Sequence, residues 1–426
     1  MHRATSSITC STVAIALRIA EIPKAAGVGL KELKADHWRY LVSAHSPVTR
    51  GTLEMRKQLD RTDIKILEAL GVFGPRNIEK LAEKIEMPVQ TVRDRTQRLT
   101  SLFSLHLQAN IYHTYIGLKK AFVFAKANPG YEDLLKECLK AEGYYLYVAR
   151  TYAPPRGYYG IYGIPIEHTA DFEHFIKEIS ELNITESINL FWSTCIQTIN
   201  LTDSWFNQES NTWTFDWEKW VKTIENQGTQ LPPTLVEAEF YPQRADEIDL
   251  LVLAKLEIDA TRRLRDIARM LKLSPHKVQY HFTNHVIGKG LIEGYAVLLP
   301  YFEKESDTFC FRFDFKNNED MAKFALSLMS KPFARGISKI FGQSALFVHI
   351  YLPRKEFGDF MNTLSGLVRK SILSNYEYVI EDPSSPPKQQ TISYEFFENG
   401  TWIYNHKEHV DKLRSLVNSY RLEKTT

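Results

Sequence analysis

The chain has 426 residues, which leaves room for two to four domains. Apolar residues make up 44% and charged residues 24%, ordinary values for a globular protein. A formal net charge of only +2 excludes a general polycation, so any affinity for nucleic acid has to come from a local patch. Cys10, Cys138, Cys195 and Cys310 are scattered and form no CxxC. They point to a reducing compartment, the cytoplasm, and away from a disulfide framework or a structural zinc site. The apolar run Val13 to Leu17 is too short to span a bilayer, so no membrane partner is expected.

Residues 1–54 mix Ser, Thr, Ala and scattered charges and read as a poorly ordered leader, with Met55 a candidate biological start. From Leu59 the pattern sharpens. Ile64, Ile66, Leu67 and Leu70 form one apolar helix face, ended by Gly71 and Gly74-Pro75. Ile78, Leu81, Ala82 and Ile85 give a second, short helix. Met87-Pro88 turns the chain into a third, with Val92, Thr96 and Leu99 inward and Gln90, Arg93, Asp94 and Gln97 outward. This is a helix-turn-helix, whose last helix is built to enter a DNA major groove. Leu105 to Ile111 alternates as a strand and is expected to form a wing.

Next come a strand at Ala121–Ala125, a helix at Tyr131–Glu142, strands at Tyr144–Thr151 and Tyr158–Ile164, a helix at Ala170–Leu182 and a strand at Ser187–Ile199. The order βαββαβ is the ferredoxin-like arrangement. Trp205 to Trp217, then Glu218 to Ile224, form a hairpin–helix tail. Pro232-Pro233 marks a linker.

The pattern then returns. Asp60, Asp63, Leu67, Leu70, Leu81, Ala82, Ile85, Met87 and Val92 match Asp246, Asp249, Leu253, Leu256, Ile267, Ala268, Leu271, Leu273 and Val278, always 186 positions apart (249 − 63 = 186). An ungapped register over so many core positions predicts an internal duplication. The second βαββαβ set is expected at Phe309–Phe315, Met321–Met329, Ser338–Phe341, Ala345–Tyr351, Glu356–Arg369 and Tyr376–Glu381. A hairpin around Asn399-Gly400 and a helix over Val410–Tyr420 close the chain.

The fold class read from this order is α+β: two winged helix-turn-helix domains alternating with two ferredoxin-like domains. The expected boundaries are leader 1–54, winged helix-turn-helix 55–117, ferredoxin-like domain 118–200, hairpin–helix extension 201–227 and linker 228–244. The second set is winged helix-turn-helix 245–304, ferredoxin-like domain 305–382 and a loop, hairpin and helix extension over 383–426.

Several stretches resemble the leucine-responsive regulatory protein (Lrp/AsnC) family of prokaryotic transcription regulators. Leu59-Asp60-x-x-Asp63-x-x-Ile66-Leu67 is similar to the family's opening helix, and Val92-x-x-Arg95-x-x-Arg98-Leu99 to its recognition helix. Leu273-Ser274-Pro275 resembles its turn, and Gly290-Leu291-Ile292-Glu293-Gly294-Tyr295 the start of its wing. Tandem fusion departs from the usual single unit and is similar to archaeal relatives. The resemblance implies a sequence-specific regulator that binds double-stranded DNA, without catalysis, cofactor or metal. The expected DNA-binding residues are Gln90, Thr91, Arg93, Arg95, Gln97 and Arg98 in the first unit. In the second they are Arg269, Ser274, His276, Lys277, Gln279 and His281. Arg262 to Lys289 holds seven basic residues against the single acid Asp266, enough to neutralise several phosphates. Ser274 is the expected cap of the second recognition helix. Because Arg95 and Arg98 become His281 and Asn284, the two helices are expected to read different half-sites, or one to bind weakly.

The family binds small molecules near a Gly-containing turn between its middle strands. Here that implies Arg156, Gly157 and Tyr158, with Gly342 and Gln343, although the accompanying Asp is missing. His281 with His285, and His406 with His409, have helical spacing but no obvious carboxylate to complete a metal site. The Trp205, Trp213, Trp217 and Trp220 cluster is expected to fasten a hairpin by packing. The two ferredoxin-like sheets are expected to meet face to face as an intramolecular pseudo-dimer, with larger oligomers open.

Two other readings remain at this point. Siroheme decarboxylases also resemble this family, and Arg150, Tyr152, Arg156, His168 and His174 are the residues such a site would draw on. A non-specific nucleoid DNA-binding protein is the third.

Overall fold

The computed structural model describes residues 58–153, 156–300, 302 and 305–425. The expected leader and Met55 lie outside the described residues.

The described residues open with α1 (Arg61–Phe73), α2 (Ile78–Lys84) and α3 (Val89–Phe103). Asp60 caps α1 by accepting from the Asp63 amide, and the Asp63 side chain accepts from the Asp60 amide in return. Gly74, at φ +74°, ends α1 where the Tyr295 ring leaves no room for a Cβ. Leu67, Leu70, Leu81, Val92 and Leu99 close a fully buried core among the three helices.

Next in order are β1 (His106–Ile111), β2 (Leu118–Ala127), α4 (Glu132–Leu139), β3 (Tyr145–Ala153), β4 (Gly157–Pro165), α5 (Thr169–Glu181), β5 (Thr185–Ser193) and β6 (Gln197–Thr198). The strand expected over Ser187–Ile199 is therefore split. The first tail holds β7 (Phe206–Asn207), β8 (Thr212–Trp213) and α6 (Trp217–Glu225). The second half begins with α7 (Glu247–Ile258), α8 (Leu264–Leu271) and α9 (Pro275–Tyr280). The backbone runs on from α9 as a π-helical stretch, His281–Ile287. Then come β9 (Ile292–Leu298), β10 (Ser306–Asp314), α10 (Asn318–Leu328), β11 (Ala334–Lys339), β12 (Ala345–Pro353), α11 (Phe357–Arg369) and β13 (Asn375–Glu381). The chain closes with β14 (Lys388–Gln389), β15 (Phe397–Glu398), β16 (Thr401–Trp402) and α12 (His406–Thr425).

The strands after the helix-turn-helix units do not form wings of their own. β1 pairs antiparallel with β9, so the strand of one unit joins the strand of the other. α1 packs on β9 and α7 on β1. A wing needs a hairpin partner nearby in sequence; here Leu107, Ala109 and Ile111 are buried against the opposite unit instead.

The large sheet runs β5-β2-β4-β3-β13-β10-β12-β11-β6. The two halves join edge to edge at β3–β13. They meet again where Thr194 donates to the Lys339 carbonyl and Phe341 to the Trp192 carbonyl, both at 2.9 Å. The expected face-to-face contact is thus also hydrogen-bonded at two seams. Alternation along the strands sorts the side chains. Phe122, Ala149, Tyr159, Cys310, Phe347 and Val379 point into the space between the halves. Val123, Val148 and Tyr158 point outward beneath the first half's helices, and Phe311, Phe313 and Val348 beneath the second half's.

The tails are exchanged. α6, in the first half of the sequence, lies on α10 and α11 of the second. Trp220 is buried there and donates to the Ser327 hydroxyl at 3.0 Å. α12, at the end of the chain, lies on α4 and α5 of the first half. Trp402 donates to the Ile116 carbonyl at 2.7 Å. The tryptophan cluster is packing, as its spacing suggests, but against the opposite half. No described helix is long and apolar enough to cross a membrane.

Candidate nucleic-acid interface and its buried supports

The two recognition helices differ in how they begin and in charge. α3 starts after Pro88, without a side-chain cap. α9 is capped by Ser274, whose hydroxyl accepts from the Lys277 amide at 3.2 Å. Gln90, Arg93 and Gln97 are exposed on α3, and Thr91 is half-buried. Their surroundings are mixed in sign. Arg93 lies 3.5 Å from Glu79, Gln90 donates to Asp94 at 2.7 Å, and Glu83 and Glu86 are exposed nearby. A cleft of about 500 Å³ separates α3 from the Asp259–Thr261 turn of the other unit, with Arg93, Thr96, Gln97 and His106 on its walls.

The second unit presents a more uniform surface. Arg263, Arg265, Arg269, Lys272, His276, Lys277 and Gln279 are all exposed. Asp266 is the acid among them, 3.4 Å from Arg269, whose side chain is 79% exposed.

Three expected contact residues turn inward. Arg95 and Arg98 aim at the carboxylates that open α1: Arg95 lies 3.1 Å from Asp63 and pairs with Asp60, and Arg98 lies 2.6 Å from Asp63. Asp63 is wholly buried. His281 is buried too, with Nδ1 2.8 Å from Asp249. The Asp pair is visible in the sequence at both units as Asp-x-x-Asp. Reading it only as a helix start misses that it needs a positive partner, which the recognition helix supplies.

The expectation that no carboxylate accompanies His281 and His285 is also corrected. Asp246, Asp249, His281 and His285 converge, with all four candidate ligand atoms within 4.8 Å of one another.

The expected effector turns are differently placed. Gly157 opens β4, where a Cβ would strike the Ala125 carbonyl of β2, so this glycine serves strand approach. Arg156 is exposed beside it, and the Tyr158 ring is buried under the helices. Gly342, at φ +69°, turns β11 into β12 and donates to Glu237 at 2.9 Å. Glu237 also pairs with Lys339, whose ammonium holds the carboxyl below its usual range despite partial burial. Arg312 donates to Gln343 at 3.2 Å. Thus a carboxylate of the linker already occupies the second turn.

The residues drawn on for tetrapyrrole chemistry do not converge. Arg150 pairs with Tyr158 at the start of β4, whereas His168 follows that strand's far end. His168 is bonded to Asp171 and stacked on Tyr404, and His174 is bonded to His406. The Tyr152 side chain lies outside the described residues. Between the halves, aromatic rings fill the space, and the Tyr147 and Tyr159 hydroxyls both donate to half-buried Glu381. Burial raises the Glu381 carboxyl.

Capped opening helices, short second helices and exposed third helices define a DNA-binding protein of the helix-turn-helix class. Residues 59–100 match the AsnC-type helix-turn-helix domain. No curated protein matches the chain. Among solved structures, the siroheme decarboxylase NirDL is similar at 10% identity over 84% of this chain and 99% of that one, with a TM-score of 0.48. The same enzyme with an iron-uroporphyrin III analogue aligns at 9% identity over the same shares, with a TM-score of 0.49. AsnC of E. coli aligns at 17% identity over 35% of this chain and 98% of that one, with a TM-score of 0.26. The expectation that the chain is not an enzyme is corrected by this finding, because a decarboxylase is among the structures similar to most of its length.

Proposed function

We propose that the chain is a sequence-specific, DNA-binding transcription regulator that engages two half-sites with two unequal recognition helices. The observation that carries this reading is the exposed basic surface of α8 and α9, from Arg263 to Lys277, beside a helix capped and started for groove entry. The second unit supplies most of the phosphate contacts. The first, with Glu79, Glu83, Glu86 and Asp94 around Arg93, adds base contacts through Gln90, Arg93 and Gln97 and little electrostatic attraction. The constant 186-residue offset and the repeated element order support reading 55–227 and 245–426 as two copies of one unit joined as a pseudo-dimer. The β1–β9 pairing supports a fixed separation of the two helices and hence of the half-sites. A small anionic effector fits the Gly342 turn, where it would compete with Glu237 for the backbone amide and for Lys339.

Selection of bound fragments from random duplex DNA tests the proposal. An enriched, imperfect palindrome that outcompetes random duplex by 1,000-fold or more supports it. Equal competition by random DNA would indicate a non-specific nucleoid protein. Siroheme uptake in an absorbance titration, with no enriched DNA site, would replace it with the decarboxylase reading.

A further inference from the structure

The two helix-turn-helix units solve one electrostatic problem in two ways. In each, a capping aspartate and a fully buried second aspartate face the recognition helix: Asp60 with Asp63, and Asp246 with Asp249. In the first unit two guanidiniums, Arg95 and Arg98, meet them. The positions 186 residues later are His281 and Asn284. The second pair of carboxylates therefore faces two imidazoles, His281 and His285, with the Lys289 ammonium 3.8 Å from Asp249. Two permanent charges have been exchanged for one, and the imidazole nitrogens are donors to a metal when neutral.

The geometry is that of a ligand set. His281 Nδ1 lies 2.8 Å from Asp249 and 3.5 Å from Asp246; His285 Nδ1 lies 3.1 Å from Asp249 and 3.6 Å from Asp246. Around a divalent ion with bonds near 2.0–2.1 Å, tetrahedral neighbours sit roughly 3.3–3.4 Å apart; these histidine–carboxylate separations bracket that value, and all four candidate ligand atoms lie within 4.8 Å of one another, so small side-chain shifts would close the set. The carboxylates are oriented from behind. Asp246 accepts from the amides of Ile248 and Asp249, and Asp249 accepts from the amide of Asp246. The Tyr280 ring packs edge-on against both imidazoles. The backbone adds an independent sign. Where α3 stays α-helical through its arginines, the second helix becomes π-helical at His281, a distortion that recurs at functional sites.

We infer that Asp246, Asp249, His281 and His285 bind one divalent transition-metal ion, with zinc the best match to two imidazoles and two carboxylates. The ion ties the start of α7 to the recognition helix, as Arg95 and Arg98 tie α3 to α1. This site stands whether or not that helix touches DNA.

The test uses the full chain, stripped with chelator and titrated with Co²⁺, then Zn²⁺. One equivalent of Co²⁺ should give the intense visible bands of a four-coordinate ion, and Zn²⁺ should displace it and raise the Tm. The double variant His281→Arg, Asn284→Arg rebuilds the ion pairs of the first unit. It should fold, lose the bands and bind Co²⁺ at least 100-fold more weakly. Absence of stoichiometric Co²⁺ or Zn²⁺ binding to the wild-type chain would overturn the inference, since the imidazole hydrogen bonds and Lys289 then suffice to hold the two carboxylates. Unchanged binding by the double variant would overturn it too, by placing the metal elsewhere.

Discussion

Arg98 reaches within 2.6 Å of Asp63, a carboxylate withdrawn from solvent at the start of the first unit. A recognition-helix arginine is thus held as a structural counter-charge. Replacing Arg98 by Ala leaves Asp63 with the Arg95 guanidinium and the Asp60 amide. The expected loss is roughly 1–3 kcal/mol of stability, less than for a fully orphaned buried charge because Arg95 stays. Denaturant unfolding measures it. The salt dependence of DNA binding should not change; a slope lowered by about one would return Arg98 to the phosphate contacts.

The exposed residues of the second unit should behave oppositely. Arg265→Ala, Arg269→Ala and Lys277→Ala should each leave the Tm nearly unchanged and lower the salt slope of DNA binding by about 0.9 per lost contact. Arg93→Ala, in its acidic surroundings, should alter base preference more than slope. Fluorescence anisotropy on one selected site over a range of salt concentrations distinguishes the two.

Glu142 makes stability depend on pH. It is buried, its Oε1 has no partner among the described residues, and burial pushes its carboxyl up to about 8. The unfolded chain ionises this group near its ordinary value, so the protonated native form is favoured below that value. That advantage is lost as pH rises toward 8. Glu142→Gln, which needs no proton to stay neutral, should match the wild type near pH 4.5 and be more stable at pH 8 by a few kcal/mol. Equal unfolding curves at pH 8 would show that the carboxyl is solvated.

Trp220 fastens the first tail to the second half among Phe324, Phe333 and Phe360, with its indole N–H on Ser327. Trp220→Ala should cost about 3–5 kcal/mol. Limited proteolysis should then cut first between Trp217 and Glu225, before the helix-turn-helix units are touched.

The layout was readable because its signals are periodic. The apolar faces at Leu67, Leu81 and Leu99, and the repeat of the same faces 186 residues later, set the three-helix units without tertiary information. The Asn399-Gly400 turn was equally local, with both residues at positive φ. The exchanges were not readable. β1 has the alternation of a wing, and alternation does not say which strand it will join. Nothing near α6 or α12 names the half it will cover. At the interface the error was one of direction: Arg95 and Arg98 look like outward charges until Asp60 and Asp63, more than thirty positions earlier, are placed beneath them. His281 and His285 looked isolated for the same reason.

The crossed placement of α6 and α12 makes the order of synthesis matter. Leu413 and Val417 are buried in the core that also holds Leu134, Leu135, Phe172 and Phe175. These turns leave the ribosome after everything they cover, so the first ferredoxin-like half waits, with an apolar helical layer exposed, through the synthesis of about 230 further residues, from the end of α5 to the middle of α12. A stop just before α12 would therefore damage the first half, whose helices α12 covers, more than the second. Cells producing such a truncation should route it to chaperones or proteases, although every residue of its first unit is intact.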